Sequence, residues 1–317
     1  MDGSSTSSNG SPERGRAPAV SVLVPCYNGG QFLDQLMASF DRQTFRDFEI
    51  VIVDDGSKDK ETLSKLAALE GRARVIYQDN RGPSAARNTA ARAALADIVA
   101  FLDCDDTYEP TFLADTVPLL QAAPREVGMV FTHQQVLGGA EPLTSRRYFN
   151  RFDILFTNTM SVGLVLRKEC YLAVGGQDET MREGYEDWEF SLRLSDAGYR
   201  GIEVPKPLYN YHIRPEAMSR SSSVNKQYLH ARLWRYIRHQ HPDDYRPLAM
   251  LQSWRASRDG TGRIPLWKAL GAYVLAMLLP DAYFSRLITG MRNRVPAGSL
   301  GDGNRLMFFK KKLTGPS

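Results

Sequence analysis

Three carboxylates within four positions, Asp103, Asp105 and Asp106, follow directly on the apolar run Ile98–Leu102. Like charges gathered at the end of a buried strand repel one another, and a cation among them relieves the repulsion. Mg2+ or Mn2+ suits such a cluster, because these hard ions prefer oxygen ligands and are commonly completed by substrate phosphates. A plain acidic loop is the other reading. A second acidic group, Glu186-Asp187-Trp188-Glu189, opens a segment whose apolar positions are Phe190, Leu192 and Leu194. Acids in a first helical turn complement the helix dipole. The same placement could present a general base, with Trp188 as an apolar wall for a sugar ring.

Three further segments carry polar groups at the ends of apolar runs. Val24-Pro25-Cys26-Tyr27-Asn28 offers an aromatic ring that could stack on a base, or is an ordinary strand-to-helix turn. In Val53-Asp54-Asp55-Gly56-Ser57 an Asp either caps the following helix or accepts the imide N–H of a uracil. Asn80-Arg81-Gly82-Pro83-Ser84-Ala85-Ala86-Arg87-Asn88 runs from a polar loop into an Ala-rich helix, where Arg87 is either a solvated side chain or a cation aimed at phosphate or at a base carbonyl.

Strands are predicted at Val20–Val24, Phe48–Val53, Arg74–Tyr77, Ile98–Leu102, Val127–Phe131, Ser161–Leu166 and Ile202–Val204. Helices are predicted between them. One contains the face Phe32, Leu33, Leu36, Met37 and Phe40, another Leu63, Leu66, Ala67 and Leu69, and others fall at Pro83–Leu95, at Thr111–Gln121 and from Glu186. Near-continuous apolar strands alternating with helices predict an α/β fold, a mostly parallel, Rossmann-like sheet flanked by helices. In such sheets ligands lie beyond the carboxyl ends of the strands, where these polar residues fall.

The chain has 317 residues, 43% of them apolar, and a net charge of +4. That charge is modest and dispersed, which argues against a nucleic-acid partner. Cys26, Cys104 and Cys170 form no zinc-type spacing and suit a reducing, cytoplasmic setting. Residues 1–19 read as a disordered leader. The most hydrophobic late stretch, Ala269–Pro280, is shorter than the roughly 20 residues that span a bilayer.

Taken in order, VPCYN, VDDGS, NRGPSAARN, Asp103-Cys104-Asp105, the Gly175–Glu179 segment GGQDE and YEDWEF resemble the family 2 glycosyltransferases, whose catalytic domain has the GT-A fold. The resemblance covers residues 20–215 and fades after His212. It implies a nucleotide-binding half at 20–106 and an acceptor half at 107–215, while the Arg-rich sequence at 216–317 reads as a helical C-terminal region. It also implies an inverting transfer of a sugar from a nucleoside-diphosphate donor, a UDP-sugar above all, to a hydroxyl on a glycan, a lipid-linked or another acceptor, in polysaccharide or glycoconjugate biosynthesis. By the same resemblance Pro25, Tyr27, Asp55, Asn80, Arg87 and Asp103 form the nucleotide site. Asp105, with Asp103 and His212, faces Mn2+ or Mg2+. Asp187 is the catalytic base, and Glu186 and Trp188 flank the acceptor.

A Rossmann oxidoreductase lacks support because no GxGxxG follows the first strand. A sugar-phosphate nucleotidyltransferase should carry a Gly- and Arg-rich loop where Pro25-Cys26-Tyr27-Asn28 stands. A catalytically inactive glycan- or nucleotide-binding module is the alternative outside the enzymes. Gln227 and Trp234 do not make the QxxRW spacing of processive polymerases, so single sugar additions are expected. The basic, aromatic segment 264–317 is expected either to touch an anionic membrane surface, at the inner face of the membrane, or to pack on the catalytic domain or in a homodimer.

Overall fold

The computed structural model describes residues 16–138, 143–160, 163–213, 223–257, 264–280 and 283, with the side chains of 223–228 left aside. The strands are β1 (Val20–Cys26), β2 (Phe48–Asp54), β3 (Arg74–Tyr77), β4 (Ile98–Phe101), β5 (Thr107–Tyr108), β6 (Val127–Leu137), β7 (Leu143–Ser145), β8 (Leu164–Arg167) and β9 (Arg200–His212). The helices are α1 (Gly30–Asp41), α2 (Lys60–Ala67), α3 (Pro83–Ala93), α4 (Phe112–Ala122), α5 (Lys168–Ala173), α6 (Glu186–Asp196), α7 (Ser223–Gln240), α8 (Pro247–Ala256) and α9 (Leu266–Leu278).

The strands form one sheet in the order β3-β2-β1-β4-β8-β6-β9-β5, with β7 beside β6. β3, β2, β1 and β4 are parallel, so each is joined to the next in the chain by a crossover connection. Val20, Val22, Leu23 and Val24 of β1 are all at 0% exposure, so neither face of this central strand meets water. That is why it reads as a continuous apolar run rather than an alternating one. β8 enters antiparallel between β4 and β6, and β9 returns parallel to β6, so the sheet is parallel in its first half and mixed beyond.

Two strands run past the ends of their apolar runs. β6 continues through Thr132, Gln134 and Gln135 to Leu137, and β9 continues from Val204 to His212. They pair with each other along this length, with irregularities between Thr132 and Gln134. Backbone pairing, not apolar content, keeps the polar residues in strand. These extensions carry His212 to the same end of the sheet as the Asp103–Asp106 turn. β8 begins at Leu164, and Leu63, expected on the buried face of α2, is 39% exposed.

The helices after residue 223 do not form a separate core. Leu233, Trp234 and Ile237 of α7, Met250 of α8 and Ala269 and Ala276 of α9 lie in the same buried cluster as Phe101 and Trp188. Trp234 Nε1 and Tyr245 Oη both donate to the carbonyl of Leu155, at 2.7 and 2.6 Å. Among the described residues no helix is long and apolar enough to cross a membrane. The basic residues of 284–317, and residues 1–15 of the segment expected to be a leader, lie outside the described residues.

Candidate active site

A pocket of about 590 Å³ opens beyond the carboxyl ends of β1, β2 and β4. Pro25, Tyr27, Asp55, Asn80, Arg87, Asp103 and Asp105 all line it, together with Glu186 from the start of α6. Two glycines allow the β1–α1 turn to press against its neighbours. A Cβ on Gly30 would lie 2.6 Å from the backbone nitrogen of Thr62, and one on Gly29 would lie 2.8 Å from Cys104 Sγ. Tyr27, at the pocket mouth, keeps 51% of its surface exposed.

Asp55 is buried, and its carboxylate accepts from Gln78 Nε2 at 2.7 Å, from Arg81 N at 2.9 Å and from Gly82 N at 2.7 Å. It shapes the loop that leads into α3. It does not cap α2; Asp59 does, accepting from Thr62 N at 2.8 Å. Any base that meets Asp55 meets a carboxylate already held by three donors.

Arg87 is not solvated, although it lines the pocket. It is 2% exposed; Nη2 donates to Asp103 Oδ1 at 2.5 Å, and Nη1 donates to Glu186 Oε1 at 2.9 Å and to Gln177 Oε1 at 3.0 Å. Burial opposes its charge, but Asp103 and Glu186 outweigh burial and hold the guanidinium above its usual pKa. Glu186 thus sits on the wall shared with Asp103.

Asp106, which sequence reasoning left without a role, ties the acidic turn to β9. Its backbone N–H donates to the Asp103 carbonyl at 3.0 Å. Its buried carboxylate accepts from Tyr209 Oη at 2.6 Å and from the backbone N–H of His212 at 2.8 Å. Burial pushes its carboxyl up to about 7, against the pull of the His212 hydrogen bond. The signal was in the sequence as the third acid of the cluster; the partners a hundred residues away were not.

The residues present fit a divalent cation at the Asp103–Asp105 turn. Two carboxylates reach one pocket there, whereas the buried Nδ1 of His212, which has no hydrogen-bond partner, lies 3.8 Å from Asp106 Oδ1. His212 itself does not line the pocket, and its Nε2 lies 3.0 Å from Gln35 Nε2. Among the described residues the acids and imidazole that converge within 4.8 Å are instead Asp196, His241 and Asp244. That group already holds a cation, because Arg151 Nη2 pairs with Asp196 at 2.5 Å and also with Asp244.

α6 begins from a forced turn. Gly184 has φ +109° and Tyr185 has φ +67°, a left-handed conformation that an aromatic residue adopts only when its surroundings impose it. The turn directs Glu186 into the pocket wall and leaves Asp187 half-buried beside it. Asp187 Oδ2 accepts from Asn158 Nδ2 at 2.9 Å, and Oδ1 from the Trp188 N–H at 2.8 Å. Burial and the neighbouring Glu186 charge raise its pKa to about 6, against Asn158 and Arg87. Asp187 is not among the residues that line the pocket.

Trp188 corrects an expectation. Its side chain is fully buried, Nε1 donates to the Ile154 carbonyl at 2.5 Å, and its ring stacks on His230 at 5.8 Å between centroids. It offers no face to a sugar. Trp188 is the third residue of α6, and the 3.6-residue turn points it into the core. Arg182, exposed on the loop before α6, lines the pocket and was missed; a lone Arg in a polar loop carries no sequence signal.

A GT-A domain is what this sheet and acid-lined pocket define. Residues 21–165, a little under half of the chain, match the family model described as glycosyl transferase family 2. The chain is 36% identical over 115 residues to the putative glycosyltransferase EpsH of Bacillus subtilis (strain 168), covering 36% of this chain and 33% of EpsH. It is 21% identical over 216 residues to the amylovoran biosynthesis glycosyltransferase AmsB of Erwinia amylovora, covering 62% of this chain and 70% of AmsB. The chain spans a third or less of the length of several curated relatives, EpsH among them. Residues 1–349 of S. aureus TarS, solved with UDP-GlcNAc, share the fold with a TM-score of 0.58 at 22% identity, over 81% of each chain. The mannosyltransferase PcManGT of Pyrobaculum calidifontis, solved with GDP-Man and Mn2+, aligns with a TM-score of 0.54 at 17% identity, over 90% of this chain and 91% of that one.

Proposed function

We propose that this chain is an inverting glycosyltransferase that moves a sugar from a nucleoside-diphosphate donor to an acceptor hydroxyl in polysaccharide or glycoconjugate biosynthesis. The observation that carries the reading is the Arg87 bridge. It sets the acids of the β4 turn and the Glu186-Asp187 start of α6 on two sides of one buried cation.

On this reading Tyr27 and Asp55 receive the base, uracil or thymine, which share an imide edge. Asp103 and Asp105 hold Mn2+ or Mg2+, which neutralises the charge on the leaving diphosphate when bound. Asp187 accepts the proton of the acceptor hydroxyl as that oxygen attacks the anomeric carbon. Asn158, donating to Oδ2, and the Trp188 N–H, donating to Oδ1, fix the plane of this carboxylate. A single displacement inverts the anomeric carbon. The relatives support the class of reaction, and the Mn2+ bound in PcManGT supports the choice of ion.

The test is release of nucleoside diphosphate from a panel of UDP-, GDP- and TDP-sugars, with and without Mn2+. Release that stops with EDTA, and stops in Asp105→Asn, supports the enzyme. Nucleotide binding without turnover of any donor leaves a binding module instead. The reading also includes peripheral membrane contact through 264–317. Its support is the exposed Trp267, Met277 and Leu278 on α9, whose Ala269 and Ala276 face the core. Failure of the full chain to sediment with anionic vesicles would remove that part.

A further inference from the structure

Near Asp187 stands a second arginine that is held by a neutral amide and not by a carboxylate. Arg147 follows β7, and Nε donates at 2.9 Å to Oε1 of Gln134, which Nη2 also reaches. Gln134 is 4% exposed and lies on β6, in register with Tyr209 of β9 on one side and Ser145 of β7 on the other. A single amide oxygen therefore accepts from both N–H groups along one edge of the guanidinium. It fixes the direction of the group without neutralising it.

The neighbouring arginine shows the contrast. Arg146 pairs with Glu203 at 3.3 Å, whereas Arg147 has no carboxylate at ion-pair distance among the described residues. A guanidinium remains protonated even when buried, so a cation held this way carries a desolvation cost that an approaching anion would repay. Burial indeed pulls its pKa below the ordinary value, with Asp187 the first of the groups acting through space against that pull.

The position is tied to the proposed base by hydrogen bonds. Tyr148 N–H donates to the Thr159 carbonyl at 3.3 Å, and Asn158, one residue before, holds Asp187. The backbone next to Arg147 and the carboxylate of Asp187 are thus both held by the short segment 158–159. The aromatic ring of Tyr211, also among the groups acting on Arg147, is 44% exposed on β9.

We propose that Arg147 is an anion-recognition residue of the acceptor site, so that the acceptor carries a phosphate or a carboxylate close to the hydroxyl that is glycosylated. The proposal rests on the transferase reading for what it calls the acceptor. Phosphate and carboxylate each present a pair of oxygens that the planar guanidinium can meet with two N–H groups, and they differ in charge and size.

The experiment titrates two matched pairs of probes, glycerol 3-phosphate against glycerol and methyl glucuronide against methyl glucoside, into the full chain with and without UDP and Mn2+. At least one anionic probe is expected to bind about ten-fold or more tightly than its neutral partner. The pair that shows the preference identifies phosphate or carboxylate as the group. In Arg147→Gln the preference is expected to fall below about three-fold, while Arg147→Lys, which keeps the charge and loses the fork, retains part of it. The thermal shift with UDP and Mn2+ serves as the control that each variant is folded. If neither anionic probe is preferred, or the preference survives Arg147→Gln at three-fold or more, the proposal is overturned. Absence of any UDP or Mn2+ effect on the wild-type chain would sink the transferase reading instead, and the probe titrations without nucleotide would still decide the role of Arg147.

Discussion

Arg87 Nη2 lies 2.5 Å from Asp103 Oδ1, and Nη1 of the same guanidinium lies 2.9 Å from Glu186 Oε1. One side chain of α3 thereby sets the separation between the turn after β4 and the first turn of α6, segments more than eighty residues apart in the chain. Both acids of the bridge line the pocket, so the distance across the site is fixed by a buried ion triad rather than by either loop alone.

Arg87→Met removes the shared countercharge from two carboxylates that have little access to water. Breaking a buried pair in this way costs about 3–5 kcal/mol, and urea denaturation should show a loss of that size. Arg87→Lys should recover only part of it, because an ammonium cannot span both acids with a planar fork. A loss below about 1 kcal/mol in Arg87→Met would show that the triad does not hold the site together.

Asp187 has its pKa raised to about 6, and a general base must be deprotonated to act. Transfer should therefore rise with pH through about 6 and level off above it. Asp187→Asn should lower the transfer rate about 10²–10⁴-fold without that pH step, while nucleotide still raises the melting temperature. The same shift bears on stability. Between the unfolded value near 3.9 and the folded value the native state binds the extra proton, so stability falls as pH rises through this window. Asp187→Asn should be more stable than wild type at pH 7–8, with the difference vanishing at about pH 4.

Tyr27 and Trp188 should separate binding from stability. Tyr27→Ala removes a half-exposed ring at the pocket mouth and should weaken nucleotide binding with little change in unfolding free energy. Trp188→Ala empties a fully buried site and strands the Ile154 carbonyl, and should destabilise the fold by about 3–5 kcal/mol. Nucleotide titration and chemical denaturation of the two variants test this directly; a Trp188→Ala chain of native stability would contradict the packing.

His241 joins α7 to α6 through Glu189 at 3.2 Å and Asp196 at 3.0 Å. Burial works against its charge, but the hydrogen bonds to Asp196 and Glu189 raise its pKa to about 9. The stability it contributes is fully present below the unfolded value near 6.5 and is lost as pH rises through 9. Unfolding free energies of wild type and His241→Gln should differ most at pH 6 and converge near pH 10. Equal differences at both ends would rule out the charged imidazole as the cause.

Much of this was legible in the residues before the fold was known. The runs Val20–Val24 and Phe48–Val53 announced central parallel strands, because a strand covered on both faces is nearly continuously apolar, as Val22–Val24 and Ile50–Val53 are. The polar residues that follow those runs announced a pocket at the carboxyl ends of the strands, and Tyr27, Asp55, Asp103 and Asp105 do line one. By contrast, the polar halves of β6 and β9 gave no periodic signal. Their strand conformation is enforced by pairing with each other, and no local pattern encodes a partner.

Residue types and their order along the chain determined which groups could do chemistry, since carboxylates and rings at strand ends are local facts. Which way each side chain faces, and what answers its charge, was decided only by tertiary packing. Arg87 became a buried bridge, Trp188 a core residue and Arg147 a cation held by an amide because of neighbours distant in sequence. Burial and electrostatic compensation depend on the sum of those neighbours, and that sum exists only once the chain has folded.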